Sequence, residues 1–148
     1  MSVVPEQFRL EFTPLAAREA MVQVGSTVRF TVLTERLIRL EYHPEGCFED
    51  RASQAFWYRQ QPVPLFDAQT TASGVEIETA YLHLKFAPQG NEGFTPGNLS
   101  IRLKLSDTIW QPGAVDEHNL RGTTRTLDYA NGYVKLETGL MSRSGWSI

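Results

Sequence analysis

The feature that most restricts the fold of this chain is an alternation of apolar and polar residues with period two. Leu99, Ile101, Leu103 and Leu105 alternate with Ser100, Arg102 and Lys104. Every second side chain then meets the same face, which an extended strand provides and a helix does not. The pattern recurs along the chain. Phe8, Leu10 and Phe12 flank Arg9 and Glu11; Val28, Phe30 and Val32 flank Arg29 and Thr31; Ile38, Leu40 and Tyr42 flank Arg39 and Glu41. Val75 and Ile77 flank Glu76, and Leu82, Leu84 and Phe86 flank His83 and Lys85. No long stretch carries helical apolar spacing. Roughly eight to ten short strands with polar turns predict an all-β fold, an antiparallel β-sandwich with apolar faces inward and wet faces outward. Phe30, Val32, Ile38, Leu40, Leu82, Leu84, Ile101 and Leu103 are the expected core.

The joints between these runs are also legible. The strand at Phe8–Phe12 stops at Pro14, and a turn through Leu15 leads into a short strand, Met21 to Val24, broken by Gly25-Ser26. Thr34-Glu35-Arg36 is a short polar joint, so 28–32 and 38–42 read as a hairpin. His43 to Gln54 is a loop, followed by some strand character around Phe56, Trp57 and Tyr58. Pro62 and Pro64 confine their segment to an edge strand or an extended crossing. Thr79-Ala80 is either a turn or a bulge. Pro88 to Gly97 is a loop, and Pro112-Gly113 closes the segment after Ile109-Trp110.

A chain of 148 residues, 41% hydrophobic and 21% charged, is one domain with enough length to bury a core without staples. A net charge of −3, with Lys and Arg never in a run, gives no basic face for nucleic acid. Cys47 is the single cysteine, so no disulfide framework exists and a reducing compartment is compatible. The N-terminus has no signal-peptide pattern, and no apolar run approaches the roughly 20 residues of a membrane span. A cytoplasmic protein with no membrane partner is the simplest expectation.

Most motifs that carry chemistry are missing. Glu49/Asp50 and Asp116/Glu117 are adjacent carboxylates, but neighbours in an extended chain point apart, so solvated turn residues are expected. His43, His83 and His118 lack ligand spacing, and Cys47 has no nearby base to activate it, so neither a metal nor any other cofactor is implied. No Gly-x-Ser-x-Gly or phosphate-binding glycine pattern occurs. Trp57, Trp110 and Trp146 have faces that suit the C–H side of a pyranose; packing in the sandwich core is the alternative for Trp110 and Trp146. Trp57 with Tyr58 looks the more exposed pair.

One segment departs from the strand pattern. Asn119-Leu-Arg-Gly-Thr-Thr-Arg-Thr-Leu-Asp128 holds three threonines, two arginines, an Asn and an Asp around one Gly. It is too polar for a core strand and poor in helix formers, and reads as an ordered loop presented by the scaffold. The stretch Asn119-Leu120-x-Gly122-Thr123-x-Arg125-Thr126-Leu127-Asp128, then Gly132, then Gly139-Leu140-x-Ser142-Arg143-x-Gly145-Trp146, resembles the end of the N-terminal β-sandwich of glycoside hydrolase family 31. That family holds α-glucosidases, α-xylosidases and related hydrolases of carbohydrate metabolism. Arg29 to Tyr42 and Trp110-x-Pro112-Gly113 look like the same domain, so the likeness covers nearly the whole chain. Arg121 and Ser144 stand where relatives often carry a glycine and an aspartate.

The resemblance implies a sandwich of the galactose-mutarotase-like type, a single N-terminal domain spanning 1–148 that packs on a catalytic barrel absent from this chain. It implies that the 119–128 loop reaches the rim of a carbohydrate-binding pocket. Asp128 and Arg125 would there hydrogen-bond hydroxyls of an oligosaccharide or α-glucoside, while Asn119, Gly122, Thr123 and Thr124 shape the loop. The family's nucleophile lies in a Trp-x-Asp-Met-Asn-Glu strand, and none of the three tryptophans here begins one. Retaining glycosidases need two carboxyls about 5–5.5 Å apart, and neither family carboxyl is present, so no catalytic residue is expected here. The alternatives are a free-standing carbohydrate-binding module and a purely structural or interaction domain, with a mutarotase-type epimerase a distant third.

Overall fold

The computed structural model describes residues 5, 13, 15–53, 55–90, 93–122, 126 and 128–148. The strand expected at Phe8–Phe12 lies outside the described residues. A 3-10 turn, Arg18–Ala20, leads into β1 (Met21–Val24), followed by β2 (Val28–Thr34) and β3 (Leu37–Tyr42). After a long crossing come β4 (Phe66–Thr71), β5 (Gly74–Thr79), β6 (Leu82–Phe86), β7 (Leu99–Leu103) and β8 (Thr108–Trp110). They form two sheets, ordered β1-β2-β3 and β4-β5-β6-β7-β8. Every pairing is antiparallel. Each sheet is a meander, with strands consecutive in the chain lying side by side.

Register decides which residues meet in the core. Phe30 sits opposite Val22 on one side and Leu40 on the other, and Val32 opposite Ile38. Leu84 lies between Ile77 and Ile101, and Phe86 between Val75 and Leu99. One cluster joins Val28, Phe30 and Val32 of the first sheet to Val75, Ile77, Leu84, Phe86 and Leu99 of the second. Two sheets that share a core in this way make a β-sandwich. Ile38, Leu40 and Ile101 pack against that cluster while partly exposed, and Leu82 and Leu103 are half-buried.

The phase of the alternation is as expected, with local corrections and two open readings resolved. The seventh strand ends at Leu103, not Leu105; Leu105 lies in the following turn and is 75% exposed. The proline segment is a crossing, and the edge strand lies beyond it as β4, whose residues after Phe66 are all exposed. Around Trp57, in place of a strand, there is an isolated parallel bridge between Thr13 and Tyr58. Thr79 turns the β5–β6 hairpin: its hydroxyl donates to Glu35 O at 2.7 Å and accepts from the N–H of Tyr81 and Leu82.

A further correction concerns Arg29, which falls on the expected wet face of β2 and is nonetheless buried. Opposite it on β3, Glu41 accepts from Arg29 Nε at 2.8 Å and NH2 at 3.0 Å, and pairs with Arg39 at 2.7 Å. Asp50, from the loop folded over this face, pairs with Arg29 NH2, and Phe48 stacks on the guanidinium at 4.6 Å. Burial pulls the Arg29 pKa down, but Glu41 and Asp50 outweigh it and leave the value raised. Arg39 is lowered, by burial first and by the neighbouring charges of Arg59 and Arg29 against the pull of Glu41. The loop 43–53 thus covers the second face of the smaller sheet through charges. Period two alone does not reveal this.

Glu49 in that loop accepts from Arg51 Nε and NH2 and from the Arg51 N–H, which hold its carboxyl down to about 2 from the ordinary 4.5. A depressed folded-state pKa means a contribution present above the unfolded value and lost as pH falls through the folded one. The window therefore runs from about pH 4.5 down to about pH 2. Carboxyl NMR at low ionic strength should place the Glu49 midpoint well below the ordinary 4.5. Arg51→Ala should return it toward 4.5, and added salt should shrink the difference, because both side chains are exposed.

Candidate functional site

The polar segment singled out in the sequence forms one side of an irregular ribbon built from 116–122 and 137–148. Arg143 N–H donates to His118 O at 3.0 Å, Leu120 N–H to Met141 O at 2.9 Å and Gly122 N–H to Glu137 O at 2.8 Å. The far arm doubles back on itself, with Ser142 N–H donating to Trp146 O at 2.9 Å and Ile148 N–H to Leu140 O at 2.9 Å.

Asn119 fastens the two arms. Its Oδ1 accepts from the N–H of Arg121 and of Gly139, each at 2.8 Å, and its Nδ2 donates to Gly139 O at 3.0 Å and Asp116 Oδ2 at 3.3 Å. All four positions of the amide are occupied. The approach is close enough that a Cβ on Gly139 would run into the Arg121 carbonyl. Arg121 itself has φ 65, a left-handed conformation that costs a side-chain-bearing residue energy and suits glycine.

Asp116 was expected to be a solvated turn residue and is instead an anchor. Its Oδ1 accepts from Ser142 Oγ at 3.0 Å and from the His118 N–H at 3.1 Å. Asp116 and Asn119 each cap the N–H two residues on, the Asx turn that was the available signal. Ser142, which the sequence offered only as part of the resemblance and with no role of its own, is buried and also accepts from the Ser144 N–H at 3.0 Å.

Asp128 is exposed. The turn it occupies is capped by its neighbour, because the Asp128 N–H donates to Thr126 Oγ1 at 3.0 Å. Its own carboxylate makes no hydrogen bond or ion pair with a described residue. Tyr129 follows with φ 60 and is fully exposed. Thr123, Thr124 and Arg125 lie outside the described residues; the structure brings Asn119 and Gly122 into the ribbon, and Asp128 lies beyond its near arm.

The remaining candidates have local roles. His43 Nδ1 accepts from the N–H of Glu45 and Cys47 at 3.1 and 3.2 Å, which closes a turn; Cys47 is exposed. His83 bonds Glu76 at 2.9 Å on the outer face of β5 and β6, and that bond, with Lys85 beside it, holds Glu76 below the usual carboxylate range. Among the described residues no three His, Cys, Asp or Glu side chains group as metal ligands. No described helix is long and apolar enough to cross a membrane. Trp110 and Trp146 meet edge to face at 6.4 Å, at the junction of β8 and the ribbon. No family model matches this sequence, and no curated protein matches it closely enough to count as a relative.

Proposed function

We propose that this chain is the non-catalytic N-terminal sandwich of an α-glucosidase-like glycoside hydrolase, of the galactose-mutarotase-like type. In this reading it packs on the catalytic barrel and lends the 119–128 loop to the carbohydrate pocket. The observation that carries the loop's role is the state of Asp128. A carboxylate in a turn is ordinarily explained by capping, and here Thr126 does the capping. The charge is left for a ligand, and a carboxylate accepts well from two sugar hydroxyls.

Packing on a second body is supported by the ribbon's own surface. Leu120, Leu140, Met141 and Ile148 are exposed on a segment held mainly by polar clamps. Several large apolar side chains exposed along one short ribbon are what a surface covered by a second body would offer. Asn119 and Gly122 then serve the loop by shape, as the two hydrogen-bonded arms require.

The test is Asp128→Asn in the intact enzyme. Asn retains one acceptor and preserves the turn, so stability should be unchanged. Loss of a charged hydrogen bond to substrate is worth about 1.5–3 kcal/mol, or a fall in kcat/KM of roughly tenfold to hundredfold. Unchanged kinetics would remove Asp128 from the pocket. A reading frame past Ile148 without barrel motifs would remove the parent enzyme as well.

A further inference from the structure

The structure also holds a cleft that the preceding reading does not use. It has a volume of about 290 Å³ and lies between β8, the 114–118 loop and the Ser142–Trp146 turn. Trp110 and Trp146 line it together with Gln111, Glu117, His118 and Ser144. We infer that this cleft binds a single neutral pyranose ring, as a site separate from Asp128.

The walls are fixed before any ligand arrives. Ser142 Oγ donates to Asp116, which ties the 114–118 wall to the turn bearing Trp146. The turn itself is closed by Ser142 N–H to Trp146 O at 2.9 Å and by Gly145 at φ 89. Preorganised walls lower the ordering cost that makes small-ligand binding weak. Asp116 is used up in this scaffold and acts by position. The groups left for a ligand are different ones: the carboxylate of Glu117, the ring of His118, and Oε1 of Gln111, whose Nε2 donates to Pro96 O at 3.0 Å. None of these three has a hydrogen-bond partner among the described residues.

The chemistry selects the ligand. An indole presents a negative face that attracts polarised C–H groups, and a pyranose offers such a face with hydroxyls around its edge. Planar acceptors and donors at the rim suit those hydroxyls. The lining carries two carboxylates and no Lys or Arg, which disfavours phosphorylated and uronic sugars. The volume is at the lower end of small-molecule pockets, which begin at about 300 Å³, so one ring or the end of a chain fits. The inference needs neither a barrel nor the 119–128 loop, and its failure would leave the reading of Asp128 standing.

The experiment is an NMR titration of the 148-residue chain with methyl α-D-glucopyranoside, followed at the indole N–H signals. The expected result is a saturable shift of Trp110 and Trp146, with Trp57 unmoved, and a Kd on the order of 1–10 mM. Trp146→Ala should abolish it, but that variant also removes the partner of Trp110 and can disturb the fold. Glu117→Ala alters an exposed side chain and is decisive: the fold should persist while binding weakens at least about tenfold. The inference is overturned by no saturable shift up to about 100 mM, well beyond that affinity range. Unchanged binding in Glu117→Ala would also overturn it, as would saturation by tetramethylammonium chloride without saturation by the glucoside. That last result would mark a cation site made by the indoles and carboxylates.

Discussion

Replacing Phe30 by Ala should cost about 3–5 kcal/mol, the usual toll for emptying an aromatic position in a core. Phe30 is fully buried and is the aromatic member of the first sheet in the cluster that joins the two sheets. Its ring meets Phe86 of the larger sheet edge-on at 5.4 Å and Phe94 at 5.7 Å, and those two lie 5.7 Å from each other. Removing the ring therefore strips both partners of their central neighbour, beyond the transfer of its own surface to water. Val22 and Leu40 hold the backbone on either side, so little collapse can fill the space. A domain of this kind has about 5–15 kcal/mol in total, and the variant should lose a large share of it. Urea unfolding should show a lower midpoint at unchanged slope. Phe30→Leu, which keeps most of the volume, should cost less than about 1.5 kcal/mol. A cost near zero for Phe30→Ala would mean that the sheets do not share this core.

Phe30 also shows why much of the fold was legible beforehand. A strand with one face against the partner sheet must alternate, and β5, β6 and β7 do so because their outer faces carry Glu76, His83, Lys85 and Arg102. The alternation failed to give β4, because an edge strand with only Phe66 tucked in has no second apolar residue to set a period. It extended β7 to Leu105, because an exposed leucine in a turn looks the same in sequence as a buried one in a strand. The candidate site was legible at the level of Asx turns and glycines. Asp116 and Asn119 announce caps, whereas their partners Gly139 and Ser142 stand 20 and 26 residues away. No local rule reaches that far. The cleft beside Trp146 was invisible for the same reason, since β8, the 114–118 loop and the Ser142–Trp146 turn meet only in three dimensions.

Glu41→Leu should destabilise the fold by about 3–5 kcal/mol, as removal of one member of a buried ion network does. Glu41 is the carboxylate that two guanidiniums share: Arg29 through two hydrogen bonds and Arg39 at 2.7 Å. The side chains of Arg29 and Glu41 are 8% and 9% exposed, so water cannot take over when the carboxylate is gone. Arg59 is buried in the same region, and its charge already weighs on Arg39. Without Glu41 the face would hold three guanidiniums against Asp50, whose side chain is half exposed. Arginine cannot escape by losing its proton, so the loop 43–53 should open to admit water. The cost comes mainly from stranding Arg29 in a dry place, because a buried pair in itself adds little over an apolar pair of similar volume. That distinction gives the decisive measurement. Arg29→Met combined with Glu41→Leu should recover most of the loss, so the double variant should unfold at a higher urea concentration than Glu41→Leu alone. If the losses simply added, the two residues would not be coupled, and the charged covering of the smaller sheet would be ornament without energetic consequence.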